Sequence, residues 1–146
     1  MLITISLIAL VFSFNPIIKA ATHYVNPGQS IQAAINSANP GDTIFVYSGA
    51  YYENIFIDKT INLEGENKNT TFIDGEGNNH AVVIYYANNV TISGFTIQNS
   101  GTNIFSGLVI LDASDCKVYD NIIKENNFGV NLKNFSSENI IYHNIL

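Results

Sequence analysis

Short β-strand patterns recur along this chain at a nearly constant spacing. From about Asn54 to Leu146, triplets with apolar outer residues return roughly every two dozen residues, and each ends in a turn that contains Asn or Gly. Repeats of this length are typical of solenoids, in which each unit buries its apolar face only against its neighbours. The chain is therefore predicted to stack into a solenoid.

The repeats align residue by residue. Residues 90–94 align with 116–120 at an offset of 26, and residues 61–65 align with 90–94 at an offset of 29. Residues 115–121 align with 138–144 at an offset of 23. A second strand repeats at three apolar pairs, at offsets of 26 and 22: Val82 and Ile84, Leu108 and Ile110, Val130 and Leu132. Each repeat is therefore predicted to hold at least two alternating strands.

The drift in spacing indicates the kind of solenoid. In a parallel β-helix a turn can lengthen without moving the inward-facing positions, whereas propeller blades tolerate such drift less well. We predict an all-β parallel β-helix of about five coils over residues 22–146. The 22 Ile and 21 Asn suit a dry β interior joined by turns in which Asn adopts left-handed backbone. Because the sequence stops within a strand repeat at Leu146, further repeats are expected beyond it.

Local patterns predict how the first coil is covered and how the turns are stabilised. Thr22–Val25 is predicted to be a strand, and Ser30 is predicted to cap a short amphipathic helix laid across the open first coil. Residues 49–54 are predicted to form a turn. Asn121 and Asn144 occupy equivalent turn positions, which predicts side-chain amides stacked along the axis.

The N-terminal segment predicts export. Residues 1–14 are almost all apolar and precede Pro16, a pattern typical of a secretory signal peptide that is cut after Ala20 or Ala21. We assign residues 1–21 to this signal; the alternatives are an uncleaved anchor or a start further upstream. The apolar run is short for a membrane span. The predicted location is the periplasm, the cell surface or the extracellular space.

The charge of the chain limits which partners it is expected to bind. The chain has 12 acidic residues against 6 Lys and no Arg, so no basic stripe is available to bind nucleic acid. The net charge of −6 disfavours a polyanionic glycan unless a divalent cation bridges the like charges, whereas a neutral glycan meets no such barrier. The single cysteine, Cys116, is predicted to face inward as a small apolar residue.

Three segments carry a resemblance to a known group. Residues 25–35, 40–44 and 49–55 closely resemble the opening of right-handed parallel β-helix proteins of the pectin-lyase-like superfamily. Within that group the chain looks most like the NosD-like periplasmic copper-binding proteins and the repeat-rich surface proteins of archaea. The resemblance implies a right-handed, single-stranded parallel β-helix. It does not imply one activity, because the superfamily holds lyases, hydrolases, esterases, epimerases and non-catalytic surface proteins.

No catalytic residue is predicted. In lyases of this superfamily the resemblance implies a basic proton acceptor beside acidic residues that hold calcium. Lys117, Lys124 and Lys133 are expected on consecutive coils, and lysine at outward positions is interpreted as a solvated edge. Glycoside hydrolysis would need two convergent carboxylates, and the sequence shows no such pair.

Metal binding has two candidates in the sequence. Asp112, Asp115 and Asp120 lie within nine residues and could approach one another around calcium, although capping of turn amides is the favoured interpretation. Copper, implied by the NosD-like resemblance, is not expected, because the three His are far apart and lack ligand spacing. They are His23, His80 and His143.

Pairs of adjacent tyrosines suggest a carbohydrate-binding surface. Adjacent tyrosines could stack on sugar rings, with alternation turning one of each pair inward. The candidate glycan contacts are Tyr51, Tyr52, Tyr85 and Tyr86. Three N-glycosylation sequons begin at Asn69, Asn89 and Asn134.

These observations favour an exported, non-catalytic β-helix that serves as a scaffold or binds a carbohydrate or a cell-envelope protein. One alternative is the N-terminal part of a polysaccharide-active lyase or glycoside hydrolase with catalytic coils beyond the present sequence. The other alternative is a NosD-like accessory protein that delivers copper.

Overall fold

The protein is a right-handed parallel β-helix of about five turns with one short helix. The computed structural model describes residues 19–146. The helix is α1 (Ile31–Ser37). The strands are β1 (Thr22–Val25), β2 (Thr43–Val46), β3 (Gly49–Tyr52), β4 (Ile55–Ile57), β5 (Asn62–Gly65), β6 (Thr71–Asp74), β7 (Val82–Tyr85), β8 (Thr91–Ser93), β9 (Thr96–Gln98), β10 (Ser106–Leu111), β11 (Lys117–Tyr119), β12 (Ile122–Ile123), β13 (Phe128–Lys133) and β14 (Ile140–Tyr142).

Three parallel sheets form the faces of the solenoid. The first sheet has the order β1-β2-β5-β8-β11-β14, the second β3-β6-β9-β12 and the third β4-β7-β10-β13. The chain visits the three sheets in turn, so each strand pairs with its equivalent one coil away. Four coils are complete, from β2 to β13, with β1 before them and β14 after them.

The strand registers confirm the offsets read from the sequence. Thr91 pairs with Lys117, and Lys117 pairs with Ile140, at the predicted offsets of 26 and 23. On the third sheet Leu108 lies between Val82 and Val130.

Each coil contains three strands, one more than the minimum predicted. The segment predicted as a turn, residues 49–54, contains β3, which pairs in register with β6. The prediction was wrong here because Gly49 and the two tyrosines resemble a turn when they are considered alone. Pairing with the next coil makes the segment extended, and Tyr51 is consequently buried.

The interior is a column of aliphatic side chains. On the first sheet the inward position holds fully buried residues, each of which stabilises the fold by about 1.5 to 3 kcal/mol. They are Ile44, Leu63, Ile92 and Val118. Cys116 is also fully buried, which confirms its predicted inward position. It stacks between Val90 and Asn139, because Lys117 N donates to Val90 O and Ile140 N donates to Cys116 O.

Four asparagine side chains connect successive coils with the same geometry. In each, Oδ1 accepts from a backbone N–H on the preceding coil, and Nδ2 donates to the carbonyl three residues before that N–H. Asn121 illustrates the arrangement, accepting from Phe95 N at 3.0 Å and donating to Ile92 O at 3.1 Å. The four are Asn121, Asn126, Asn139 and Asn144. The predicted asparagine ladder is confirmed, and buried turn groups find partners through it.

The helix α1 covers the first coil as predicted. The Ser30 hydroxyl accepts from Ala33 N at 3.0 Å, so Ser30 is the N-cap. Glu53 accepts from Ile31 N, and Lys59 donates to carbonyls at the other helix end. Of the predicted signal peptide, residues 1–18 lie outside the described part of the chain. Within residues 19–146 no helix is long and apolar enough to cross a membrane.

Candidate functional site

The outer face of the first sheet contains an open groove. Two adjoining depressions of about 340 and 440 Å³ share Glu64, Ser93 and Tyr119 in their walls. We call their union the sheet-1 groove. It is lined by Thr43, Asn62, Leu63, Glu64, Gly65, Glu66, Asn67, Lys68, Asn69, Thr91, Ser93, Gly94, Lys117, Tyr119, Asp120 and Tyr142.

Strand alternation places the groove residues. Because Leu63, Ile92 and Val118 point inward, the residues before and after them point outward. Strand pairing then stacks the outward residues of successive coils into two columns. One column is Thr43, Asn62, Thr91 and Lys117; the other is Phe45, Glu64, Ser93, Tyr119 and Tyr142.

Aromatic rings stand at both ends of the second column. Tyr119 and Tyr142 are stacked, with ring centroids 5.1 Å apart and planes at 17°. At the other end, Phe45 makes edge contacts with Tyr24 at 6.0 Å and Tyr47 at 5.3 Å. Three strand spacings of about 4.8 Å each separate Phe45 from Tyr119, a distance of about 14 Å. The groove is therefore a polar trough between two aromatic ends.

Two glycines line the groove beside this column. A Cβ on Gly65 would lie 2.3 Å from Gly94 O, and a Cβ on Gly94 would lie 2.2 Å from Gly65 O. Gly94 also has a φ of +81°, which disfavours other residues. The close approach of the two coils thus requires glycine at both positions.

The rim of the groove is a loop held by polar contacts. The Glu66 carboxylate accepts from the hydroxyl and the N–H of Ser48, at 2.6 and 2.9 Å, and these bonds lower the pKa of Glu66. Lys68 forms an ion pair with Asp120, two coils further along the axis. The Lys68 carbonyl accepts from Thr96 Oγ1 at 2.6 Å. Because the bonds from Ser48 lower its pKa, Glu66 is ionised at neutral pH and is poorly suited to donate a proton.

The groove also contains side chains with unused hydrogen-bonding capacity. None of the described residues hydrogen-bonds the Glu64 carboxylate or the Lys117 ammonium. Both groups are exposed on the sheet, and Ser93 lies between the coils that carry them. Hydroxyl groups of a sugar can both donate to carboxylates and accept from ammonium groups.

The predicted glycan contacts lie elsewhere. Tyr51 is the inward-facing member of its pair and belongs to the core, so it is not available as a glycan contact; its hydroxyl donates to Tyr47 O at 2.8 Å and the residue is 3% exposed. Burial raises its pKa. Tyr52 is exposed on the second sheet, and Tyr85 and Tyr86 form an edge-to-face pair at 4.5 Å at the end of β7 on the third. These tyrosines are not part of the sheet-1 groove.

Two groove aromatics had a signal in the sequence that was missed. Tyr119 and Tyr142 are equivalent residues at the repeat offset of 23, and each follows an inward apolar position. Aligned aromatics on the outward side of one strand column indicate an exposed stacking surface.

The three candidate calcium aspartates occupy separate turn positions, each with positive φ. Asp112 accepts from Asn134 Nδ2 at 3.1 Å, and Asp120 pairs with Lys68. Asp115 lies two residues before β11. Among residues 19–146, no group of three or more His, Cys, Asp or Glu side chains is arranged to hold a metal ion.

The histidines are separate from one another. His23 Nε2 lies 2.9 Å from Asp42 Oδ2 beside the first coil, and His80 Nδ1 accepts from Ser106 N at 2.8 Å. His143 lies in the turn after β14, next to the Tyr142 ring. Burial, then the charge of Lys133, lowers the pKa of His80.

The remaining predicted surface residues are placed as follows. The sequon asparagines Asn69, Asn89 and Asn134 are all exposed. The three lysines expected on consecutive coils instead lie on one coil, because that coil carries β11, β12 and β13 on three different faces. They are Lys117, Lys124 and Lys133. Only Lys117 lines the sheet-1 groove.

The fold and the groove define a single-stranded parallel β-helix with an open polar trough on one sheet. The chain belongs to the family described as "Protein of unknown function (DUF1565)", which matches residues 20–146. Its sequence matches no curated protein.

Among solved structures the chain is similar to the alginate lyase from Paenibacillus sp. str. FPU-7. The TM-score is 0.65 with 16% sequence identity, over 85% of this chain and 44% of the lyase chain. The chain therefore spans less than half the length of that enzyme. At this identity the similarity shows the fold alone.

Proposed function

We propose that the protein is an exported, non-catalytic β-helix of the periplasm or cell surface that binds a carbohydrate in the sheet-1 groove. The observation that carries the proposal is the polar trough between two aromatic ends. The apolar segment at residues 1–14, typical of a signal peptide, supports export.

The ends of the trough suit sugar rings. A pyranose presents a face of C–H groups that packs on an aromatic ring, and its edge presents hydroxyl groups. Tyr142 is 39% exposed, so part of the Tyr119–Tyr142 stack is open to such a ring. The span of about 14 Å between Phe45 and Tyr119 gives the ligand an extended shape.

The middle of the trough suits hydroxyl groups and favours a neutral chain. Glu64, Glu66 and Asp120 supply three carboxylates, against the ammonium groups of Lys68 and Lys117. The excess of negative charge, together with the net charge of −6, would repel a polyuronate. A neutral oligosaccharide can use the same oxygens as hydrogen-bond acceptors without that penalty.

Binding to the groove can be measured by calorimetry with neutral and acidic oligosaccharides. Replacing Tyr119 by Ala removes one stacking ring, and we expect a loss of about 3- to 10-fold in affinity. Tyr52→Ala is the matched control, because it removes an exposed tyrosine from the second sheet. Equal effects of the two variants, or no binding of any glycan, would contradict the proposal.

A polysaccharide-active enzyme is the second candidate, because an alginate lyase shares the fold, although the shared fold alone does not favour an enzyme over a binding protein. The same samples distinguish the two functions. An enzyme releases shorter products with new chain ends during incubation, whereas a binding protein returns the oligosaccharide unchanged.

A further inference from the structure

A buried carboxylate holds the chain just before the first strand. Asp42 is 1% exposed, and its Oδ1 accepts from Ala21 N at 2.7 Å. Its Oδ2 accepts from Asn39 N at 2.9 Å and lies 2.9 Å from His23 Nε2. The bonds from Ala21, His23 and Asn39 lower the pKa of Asp42 to about 2, so the group is an anion at neutral pH.

The partner of Oδ1 lies at the predicted end of the signal peptide. We propose that the export peptidase cleaves the Ala20–Ala21 bond, and that the α-ammonium group thus created on Ala21 pairs with the Asp42 carboxylate. Cleavage consumes one water, leaves a carboxylate on Ala20 and leaves a protonated amine on Ala21. The neutral N–H that now contacts Asp42 becomes a cation at the same position. The inference rests on the proposed export.

The contacts of Ala21 favour this bond over the next one. Ala21 O accepts from Thr43 N at 2.8 Å, so Ala21 bonds to the first coil through both its N and its O. Cleavage after Ala21 would remove both bonds and leave Asp42 Oδ1 without this donor. Leaving a buried carboxylate short of a donor is costly.

The residues around the bond also favour cleavage after Ala20 over cleavage after Ala21. Signal peptidases favour a small residue directly before the cut, which both bonds offer, and cleavage after Ala20 places the uncharged Ile18 at the third position before the bond. Cleavage after Ala21 would place the charged Lys19 there. Ala20 and Ala21 are both exposed in the folded chain.

The ion pair has a defined pH dependence. His23 is the other titratable group that faces Asp42, and it contacts the opposite oxygen. The anion raises the α-amine pKa of the folded protein above its ordinary value of about 7.7 to 8.0. The resulting stability is complete below that ordinary value and is lost as the pH rises through the raised pKa.

The cleavage site is read from the intact mass and N-terminal sequence of the protein produced by secreting cells. We expect a chain that begins at Ala21. A chain that begins at Thr22 or elsewhere overturns the proposal, and so does an uncleaved chain in the exported fraction, although export itself then stands. A protein found uncleaved in the cytoplasm overturns both export and the proposed cleavage.

The ion pair is tested on the exported protein itself. Enzymatic acetylation of its N-terminus keeps the Ala21 N–H and removes only the charge. We expect the free amine to raise the melting temperature by about 3 °C over the acetylated protein at pH 6.5, and the difference to vanish by about pH 10. In Asp42→Asn, if it folds, acetylation should change nothing. Equal melting of the free and acetylated wild-type forms at pH 6.5 overturns the pairing.

Discussion

Replacing Asn121 by Ala tests how the coils are held together. The Asn121 side chain is fully buried, and it is the partner of Phe95 N at 3.0 Å and Ile92 O at 3.1 Å. It also donates to Tyr119 O at 2.9 Å. Alanine cannot replace any of these bonds, and the residue is fully buried.

The magnitude follows from the groups left unpaired. Each buried backbone donor or acceptor that loses its partner costs about 1 to 3 kcal/mol. Asn121→Ala leaves two such groups, Phe95 N and Ile92 O. We therefore expect it to lower the free energy of unfolding by about 4 kcal/mol. A loss of that size is large for a single substitution.

Asn144→Ala is the matched control. Asn144 makes the same two bonds to its neighbouring coil, to Asn121 N at 3.0 Å and Val118 O at 2.8 Å, but it is only half-buried at the end of the stack. Because Asn144 itself is only half-buried, the space left by its side chain opens to solvent and water can replace its bonds, so we expect a loss of about 1 kcal/mol.

Urea denaturation followed by circular dichroism measures both losses. The slope of the unfolding free energy against urea should stay the same, because the surface exposed on unfolding is unchanged. If Asn121→Ala cost less than about 1 kcal/mol, or no more than Asn144→Ala, the ladder would not be the stabilising device described here.

Three further predictions concern backbone, charge and thiol. Gly94→Ala should lower the unfolding free energy by about 3 kcal/mol, because φ is +81° and the new Cβ meets Gly65 O. Gly77→Ala, where φ is +71° and the surroundings are open, should lower it by only about 1 kcal/mol. Equal urea midpoints of the two variants would contradict this prediction. Since the pKa of Asp42 is about 2, the stability that its carboxylate provides should be complete above about pH 4 and be lost as the pH falls towards 2. The melting temperatures of the wild type and Asp42→Asn should therefore converge near pH 2. A difference in melting temperature that stays constant with pH would refute this prediction. Burial raises the pKa of Cys116, so a thiol reagent should label it only in denaturant; rapid labelling of the folded protein would show an accessible thiol.

The stacking of coils could be predicted from the sequence because inward positions tolerate few residue types. Val90 and Cys116 occupy one column, and both are small and apolar. Turn length does not disturb this pattern, so the alignment survives offsets between 22 and 29. The pairing of Asn121 with Asn144 was visible for the same reason.

The third strand of each coil was harder to find. β3 begins with Gly49 and β12 is only two residues long, so neither shows a clear alternation. Their extended conformation depends on hydrogen bonds to neighbouring coils, which local propensity does not report. Without the third face, Lys117 and Lys124 could not be assigned to the same coil.

The groove was only partly accessible to sequence reasoning. The equivalence of Tyr119 and Tyr142 follows directly from the repeat. Phe45 belongs to the same column, but its strand precedes the region where repeats were aligned. Gly65 and Gly94 line the groove where two coils approach closely, and that approach is a property of the assembled coils.

The proposed glycan site is tested most directly by backbone amide chemical shifts during titration with a neutral oligosaccharide. We expect saturable shifts concentrated at the sheet-1 groove, at Glu64, Ser93 and Tyr119, with little change at Tyr52 or Tyr85. Shifts confined to those last two tyrosines, or no shifts with any neutral or acidic glycan, would contradict carbohydrate binding in the groove.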